Sequence, residues 1–294
     1  MTDKQTILIS GGTGNVGGGA AFALAGRGAR VVLLGRNQER LETRADSMRN
    51  ALSEKGLNQQ EASIDILPID LSDMEDVRRA AEEAMNRFNT INGLVLSAVT
   101  LVQDGPTMLP NGHEVMFATN VMGPFLFSNL LVDRMEQSDG LVLHVINRTN
   151  TKIDWKDLES LDNHETNQAY ERTKTMHRIL AGEMARRYAG RISSVAFDPT
   201  FVIDKTDPEL KKRWPKGFLG LFWRILTILI AKPPSVAGEP IADLFLSYPD
   251  RRAINGEMFK LDKRVEKPDL AMNDEEQGKK LWEALDAITG IKSA

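Results

Sequence analysis

Residues 6–37 read TILISGGTGNVGGGAAFALAGRGARVVLLGRN. The opening TILIS (6–10) makes a short apolar strand, and ARVVLLG (29–35) makes a second. Between them the chain is rich in glycine from Gly11 to Gly19 and then reads as a helix. Glycines at a strand end let the backbone turn tightly and approach a ligand closely. The helix that opens there aims free N–H groups and its positive dipole end at an anion. A lone glycine pattern says little. This one ends the first strand, opens a helix and is followed by a second strand, which is the context of a nucleotide-phosphate cradle.

The second strand runs out into Gly35-Arg36. Dinucleotide sites that take NAD carry an acid at this point to hold the ribose 2′-hydroxyl. A guanidinium suits a 2′-phosphate by charge and fork geometry, so Arg36 favours NADPH over NADH. The third strand ends in Asp70-Leu71, where an adenine ring would lie. Asp70 either accepts from the exocyclic amine or caps the helix that begins near Ser72.

Further along, SIDILPID (63–70), GLVLSAV (93–99), GLVLHVI (140–146), RISSVAF (191–197) and GEMFKL (256–261) repeat the strand pattern. Helical stretches at 38–54, 73–88, 112–136 and 164–188 fall between them. Strands apolar on both faces, alternating with helices, mean a parallel sheet covered on both sides, with right-handed crossovers. The expected fold is α/β: a doubly wound, mostly seven-stranded parallel sheet that binds ligands at the carboxyl ends of its strands. Residues 1–262 are expected to form one domain for dinucleotide binding and catalysis, with 204–235 inserted before the last strand. Residues 263–294 are a charged tail with a helix at about 273–288.

A length of 294 residues suits one large domain with a sizeable core. Hydrophobic residues make up 41% and charged residues 27%, as in an ordinary globular protein. The 37 basic and 41 acidic residues leave a formal charge of −4, with no basic block to attract nucleic acid. The absence of cysteine excludes disulfides, thiolate nucleophiles and thiolate metal sites. His113, His144, His164 and His177 fall in no metal-binding spacing, so no metal site is expected. The start, MTDKQ, is polar and leads straight into the first strand. No signal peptide is therefore expected, and the expected compartment is the cytoplasm.

NQAYERTKTMHR (167–178) sets Tyr170 and Lys174 four positions apart, on one face of a helix. Alone, such a pair is as readily two surface neighbours as a catalytic couple. Beside a dinucleotide cradle it gains a chemical role. Hydride transfer to a ketone leaves negative charge on oxygen, and a proton must arrive as that charge develops. A tyrosine of ordinary pKa, about 10, donates but regenerates slowly near neutrality, and a neighbouring ammonium favours its phenolate.

With these motifs in this order, the chain resembles the short-chain dehydrogenase/reductase family over about residues 5–262. LLGRNQERLE after the second strand, HEVMFATNVMGPFLFSNLL before the fifth, and YERTK followed by RILAGEMARRY make it most similar to retinol-dehydrogenase-like and carbonyl-reductase-like members. The resemblance implies a Rossmann fold with Gly11, Thr13, Asn15, Val16 and Gly17 along the pyrophosphate. It implies that Asn120 holds a water near the catalytic lysine and that Tyr170 protonates the carbonyl oxygen. Lys174 would bond the nicotinamide ribose and lower the tyrosine pKa. Pro199 and Val202, in DPTFV, match the loop that packs on the nicotinamide and bonds its amide. A homodimer or homotetramer is implied as well.

Three positions depart from the family pattern. Asn15 stands where the middle glycine of the loop is usual, with Gly14 one residue earlier. Asparagine tolerates left-handed backbone angles better than most residues. Leu96-Ser97-Ala98-Val99 replaces the usual Asn-Asn-Ala-Gly, which bears on the sheet and on the cofactor pocket beside Ser97 and Ala98. Asn147, in HVINRTN, stands where a serine usually bonds the substrate carbonyl. Its amide can donate to an oxyanion in the serine's place. Alternatively Thr149 or Thr151 supplies a hydroxyl from an inward loop, or Asn147 merely closes the strand.

WPKGFLGLFWRILTILIAKPPS (214–235) is strongly apolar, bounded by prolines and interrupted by Arg224, so it is not read as a membrane span. It falls where the family keeps its variable substrate lid. A lid over an apolar substrate or a core helix is the leading reading, then a subunit contact, and last a helix in a membrane interface. The expected activity is NADPH-dependent reduction of an apolar carbonyl, or the reverse oxidation, at Asn120, Asn147, Tyr170 and Lys174. The missing serine keeps two rivals open: a non-redox step such as dehydration, isomerisation or cyclisation, and a non-enzymatic cofactor-binding protein.

Overall fold

The computed structural model describes residues 4–57, 63–103, 105–149, 151–162, 164–203, 230–248, 250–267 and 269–291. Seven strands run parallel: β1 (Thr6–Ser10), β2 (Arg30–Gly35), β3 (Ile64–Pro68), β4 (Gly93–Leu96), β5 (Leu141–Val145), β6 (Ser193–Asp198) and β7 (Met258–Lys260). An eighth, β8 (Lys263–Arg264), pairs antiparallel with β7 at the edge. The sheet order is β3-β2-β1-β4-β5-β6-β7-β8. Among the described residues the sheet thus has eight strands where seven were expected. The addition is a two-residue return after β7, too short to leave a periodic signal. The chain order reverses between β1 and β4, which end at Ser10 and Leu96, the point at which sheets of this kind take their ligands.

Among the described residues the α-helices are α1 (Asn15–Gly26), α2 (Gln38–Glu54), α3 (Met74–Arg87), α4 (Val115–Phe117), α5 (Gly123–Glu136), α6 (Thr166–Arg187), α7 (Ser235–Leu246) and α8 (Glu275–Thr289). A π-helical turn, Ala118–Met122, joins α4 to α5 into one continuous rod. Side-chain caps start α2 and α3: Asn37 accepts from the Arg40 N–H, and Asp73 from those of Glu75 and Asp76. The cap of α3 is therefore Asp73 rather than Asp70. Asp70 instead accepts from the N–H and hydroxyl of Ser72 at 2.9 and 2.7 Å.

Side chains alternate across the strands, so each face of the sheet builds its own core. Ile7 and Ile9 of β1, with Val31, Leu33 and Leu143, pack under α1, α2 and α7. Leu8, with Val32, Leu34 and Leu94, packs under α3, α5, α6 and α8. The tail helix α8 sends the fully buried Trp282 into this second core, edge-on to Phe125 with ring centroids 4.9 Å apart. On the opposite face, α1 and α7 meet backbone to backbone: a methyl at Gly19 would stand 2.5 Å from the Pro234 carbonyl. Among the described residues one helix, Val115–Glu136, is long and apolar enough to cross a membrane, and 89% of its apolar window lies inside the protein. The proposed lid falls mostly on residues 204–229, outside the described residues.

Candidate active site

The glycine loop is built by contacts that no larger residue would permit. Gly11 has φ +68°, and a methyl there would meet the Ala98 backbone at 2.9 Å. A methyl on Gly17 would collide with the Ser97 hydroxyl and the Gly11 carbonyl. Ser10 stitches β1 to β4: its hydroxyl donates to the Val95 carbonyl at 3.2 Å and accepts from the N–H groups of Ser97 and Ala98 at 3.1 and 3.2 Å. The Ser97 hydroxyl donates back to the Ser10 carbonyl. Ser97 therefore braces the cradle through its side chain, a role its partner Ser10 shares and the sequence did not reveal.

Gly14 stands at the N-cap of α1 with no side-chain cap. An uncapped helix start beside a floor that has room only for glycine fits a pyrophosphate. Thr13, Asn15 and Val16 are half-buried around this opening. The Asn15 amide donates to the Val202 carbonyl at 3.5 Å, which ties the cradle to the loop after β6. In that loop Pro199 is buried, Thr200 takes φ +60°, and Val202 bridges to Lys232. Arg36 is exposed at the end of β2. Leu71 is buried, and its carbonyl lies against Gly123, where no side chain would fit.

The second half of the site lies on α6 and at the end of β5. Lys174 is buried beside Tyr170, its ammonium 5.8 Å from the phenol ring centroid and donating to the Val145 carbonyl at 3.3 Å. Burial lowers the Lys174 pKa to about 8. Burial raises the Tyr170 pKa, and the neighbouring Asn147 side chain acts in the opposite direction. Burial leaves the phenol above its ordinary value, with the Lys174 ammonium beside its ring.

Asn120 lies on the π-helical turn, a helix distortion common at functional sites. Its side chain is locked: the oxygen accepts from the Thr100 N–H at 2.7 Å, and the amide donates to the Thr100 carbonyl at 2.9 Å and to the Thr173 hydroxyl at 3.3 Å. Thr149 and Thr151 do not face the phenol. Their hydroxyls both hold Glu171. Behind Lys174, the buried rings of His144 on β5 and His177 on α6 meet edge-on at 5.4 Å, and burial holds both imidazoles neutral, His144 at about 3. No cluster that would hold a metal occurs among the described residues.

Comparison with known proteins completes the picture. The family model described as short chain dehydrogenase matches residues 5–153. Retinol dehydrogenase 14 of Mus musculus is 26% identical over 294 residues, covering 98% of this chain and 86% of its own. A crystal structure of an uncharacterized protein from Mycobacterium paratuberculosis superposes with a TM-score of 0.72 at 18% identity, over 99% of this chain and 95% of that one. The actinorhodin polyketide ketoreductase solved with NADPH gives a TM-score of 0.65 at 17% identity, over 89% and 97%. The chain belongs to the short-chain dehydrogenase family. It is an oxidoreductase of that type, working with a nicotinamide cofactor on the carbonyl or alcohol of a small molecule.

Proposed function

We propose that the protein reduces the carbonyl of an apolar small molecule with NADPH, or runs the reverse oxidation, with Tyr170 as the proton donor. The observation that carries this reading is the half-buried phenol of Tyr170 with the buried Lys174 ammonium 5.8 Å from its ring centroid. The nicotinamide, when bound, supplies hydride to the carbonyl carbon. Tyr170 gives its proton to the carbonyl oxygen as charge develops there. Asn147 donates toward the same point, either to the phenolate left behind or to the substrate oxygen. Lys174 keeps positive charge near the phenolate while its own pKa, about 8, leaves it able to pass a proton.

Two features support the finer choices. Arg36 at the end of β2, with no acid in that position, favours the 2′-phosphate of NADPH. The loops after β4, β5 and β6 expose Val99, Leu101, Met108, Leu161 and Phe201, an apolar setting at the carboxyl end of the sheet. A homodimer or homotetramer is the assembly we infer, to be read by sedimentation.

The test is fluorescence titration with NADPH and NADH side by side, followed by NADPH oxidation with a panel of apolar ketones and aldehydes. NADPH binding at least tenfold tighter than NADH, and turnover that Tyr170→Phe lowers by about 10²-fold or more, are expected. Product formed without net NADPH oxidation would instead favour the non-redox rival.

A further inference from the structure

Arg44 of α2 is half-buried, and among the described residues its guanidinium has no hydrogen bond and no ion pair. Its Nε is fully buried and unbonded. Nearby arginines behave otherwise. Arg49, on the same helix, holds Asp46 and the Ile64 carbonyl at 2.5 and 2.6 Å. Arg27 and Arg30 hold Asp243 and Asp65, each at 2.7 Å. The acids that flank Arg44 along α2 are engaged elsewhere, Glu42 by Gln38 and Asp46 by Arg49. A charge drawn out of water without a partner is costly, so one that persists points to a counter-charge that the chain itself does not supply.

The place where the guanidinium ends says which counter-charge. Helical side chains lean toward the start of their helix, and this one lies against the first turn of α1. A methyl on Gly18 would stand 2.7 Å from an Arg44 terminal nitrogen and 3.3 Å from the Gly12 carbonyl oxygen. The missing side chain at Gly18 is what lets the guanidinium in. Gly12 in turn hangs from the end of β2: the N–H groups of Gly11 and Gly12 donate to the Leu34 carbonyl at 3.1 and 3.3 Å. Arg36 follows two residues after Leu34, exposed and, among the described residues, also without a hydrogen bond or ion pair. Two unpaired guanidinium groups, one from α2 and one from the end of β2, thus adjoin the same stretch of the glycine loop, beside the uncapped start of α1.

We propose that Arg44 is a specificity-determining residue, the second arm, with Arg36, of a grip on the 2′-phosphate of NADPH. The proposal rests on the reading of the cofactor as NADPH. A phosphate monoester carries a charge of about −1.5 to −2 at pH 7 and three acceptor oxygens, which suits two forks better than one. A guanidinium that merely filled the space over Gly18 would be indifferent to that phosphate, so the two roles are separable.

The test is calorimetric titration of the full chain with adenosine 2′,5′-bisphosphate and with adenosine 5′-monophosphate. These probes differ only in the 2′-phosphate, and neither needs turnover. Arg44→Met keeps an apolar stem over Gly18 and removes the charge. It is expected to weaken the bisphosphate by about tenfold or more and to leave the monophosphate within about twofold.

Where Arg44→Met does not fold, Arg44→Gln carries the same measurement. Bisphosphate affinity unchanged in the folded variant overturns the second arm and leaves the cofactor reading standing on Arg36. An equal loss for both probes overturns it too, since Arg44 would then hold the loop and not the 2′-phosphate. The NADPH reading falls separately, if the parent itself binds the bisphosphate no more tightly than the monophosphate, and the grip falls with it.

Discussion

Burial holds the Lys174 ammonium at a pKa of about 8, below the value of 10.5 that it has in the open chain. The unfolded protein therefore binds more protons than the native one between those values, and stability rises with pH through that window. Below pH 8 the native state carries the whole desolvation penalty, on the order of 3 kcal/mol. Lys174→Met should thus raise the unfolding free energy at pH 7, by up to that amount, while abolishing turnover. The gain should shrink above pH 8 and vanish near pH 10.5, as urea titrations at pH 7 and pH 10 would register. A variant less stable than the parent at pH 7 would contradict the burial assignment. Tyr170→Phe should lower turnover by about 10²–10⁴-fold and leave NADPH affinity within a few-fold, because the phenol acts on the proton. The spacing of this pair was plain in the sequence, and so was the asparagine in the serine's place. What the asparagine does there was not, because residue spacing does not fix how a loop side chain meets a residue on another element.

At the scale of the element, α1 and the loop before it are held by the absence of side chains. Gly17→Ala would drive a methyl into the Ser97 hydroxyl and the Gly11 carbonyl, and the second of these is backbone that cannot swing aside. The expected result is a loss of about 1–3 kcal/mol in stability and at least tenfold in NADPH affinity, read by chemical denaturation and fluorescence titration. The glycines could be read because such a cluster after a first strand has few other uses. The helix at 38–54 was read to the residue because its apolar positions, Leu41, Ala45, Met48 and Leu52, repeat at helical spacing. Ser10 escaped notice because its partners lie 85 to 88 positions away in sequence. The π-helical turn at Asn120 escaped as well: one wider turn leaves the apolar pattern of 112–136 looking like an ordinary helix.

Taken whole, the molecule closes its second core with the end of the chain. Trp282 lies between Phe125 and Tyr188, whose ring centroids are 4.9 and 6.0 Å away, while Arg187 stacks over it at 4.8 Å. Arg78 of α3 holds the Thr289 carbonyl at the far end of α8. Trp282→Ala should lower stability by about 3–5 kcal/mol, measurable as a shifted urea midpoint with an unchanged slope. The sequence showed a tail helix but not its partners, since an amphipathic helix does not say which surface it covers. Trp282 shares its core with Leu8 of β1. At about 5–20 residues per second a ribosome needs roughly a quarter of a minute to a minute to travel from the codon of one to that of the other. Until Trp282 emerges, the cover that α3, α5 and α6 lay over that side of the sheet lacks its last piece. Demand for chaperones should fall only when the helix that carries Trp282 emerges and closes that core.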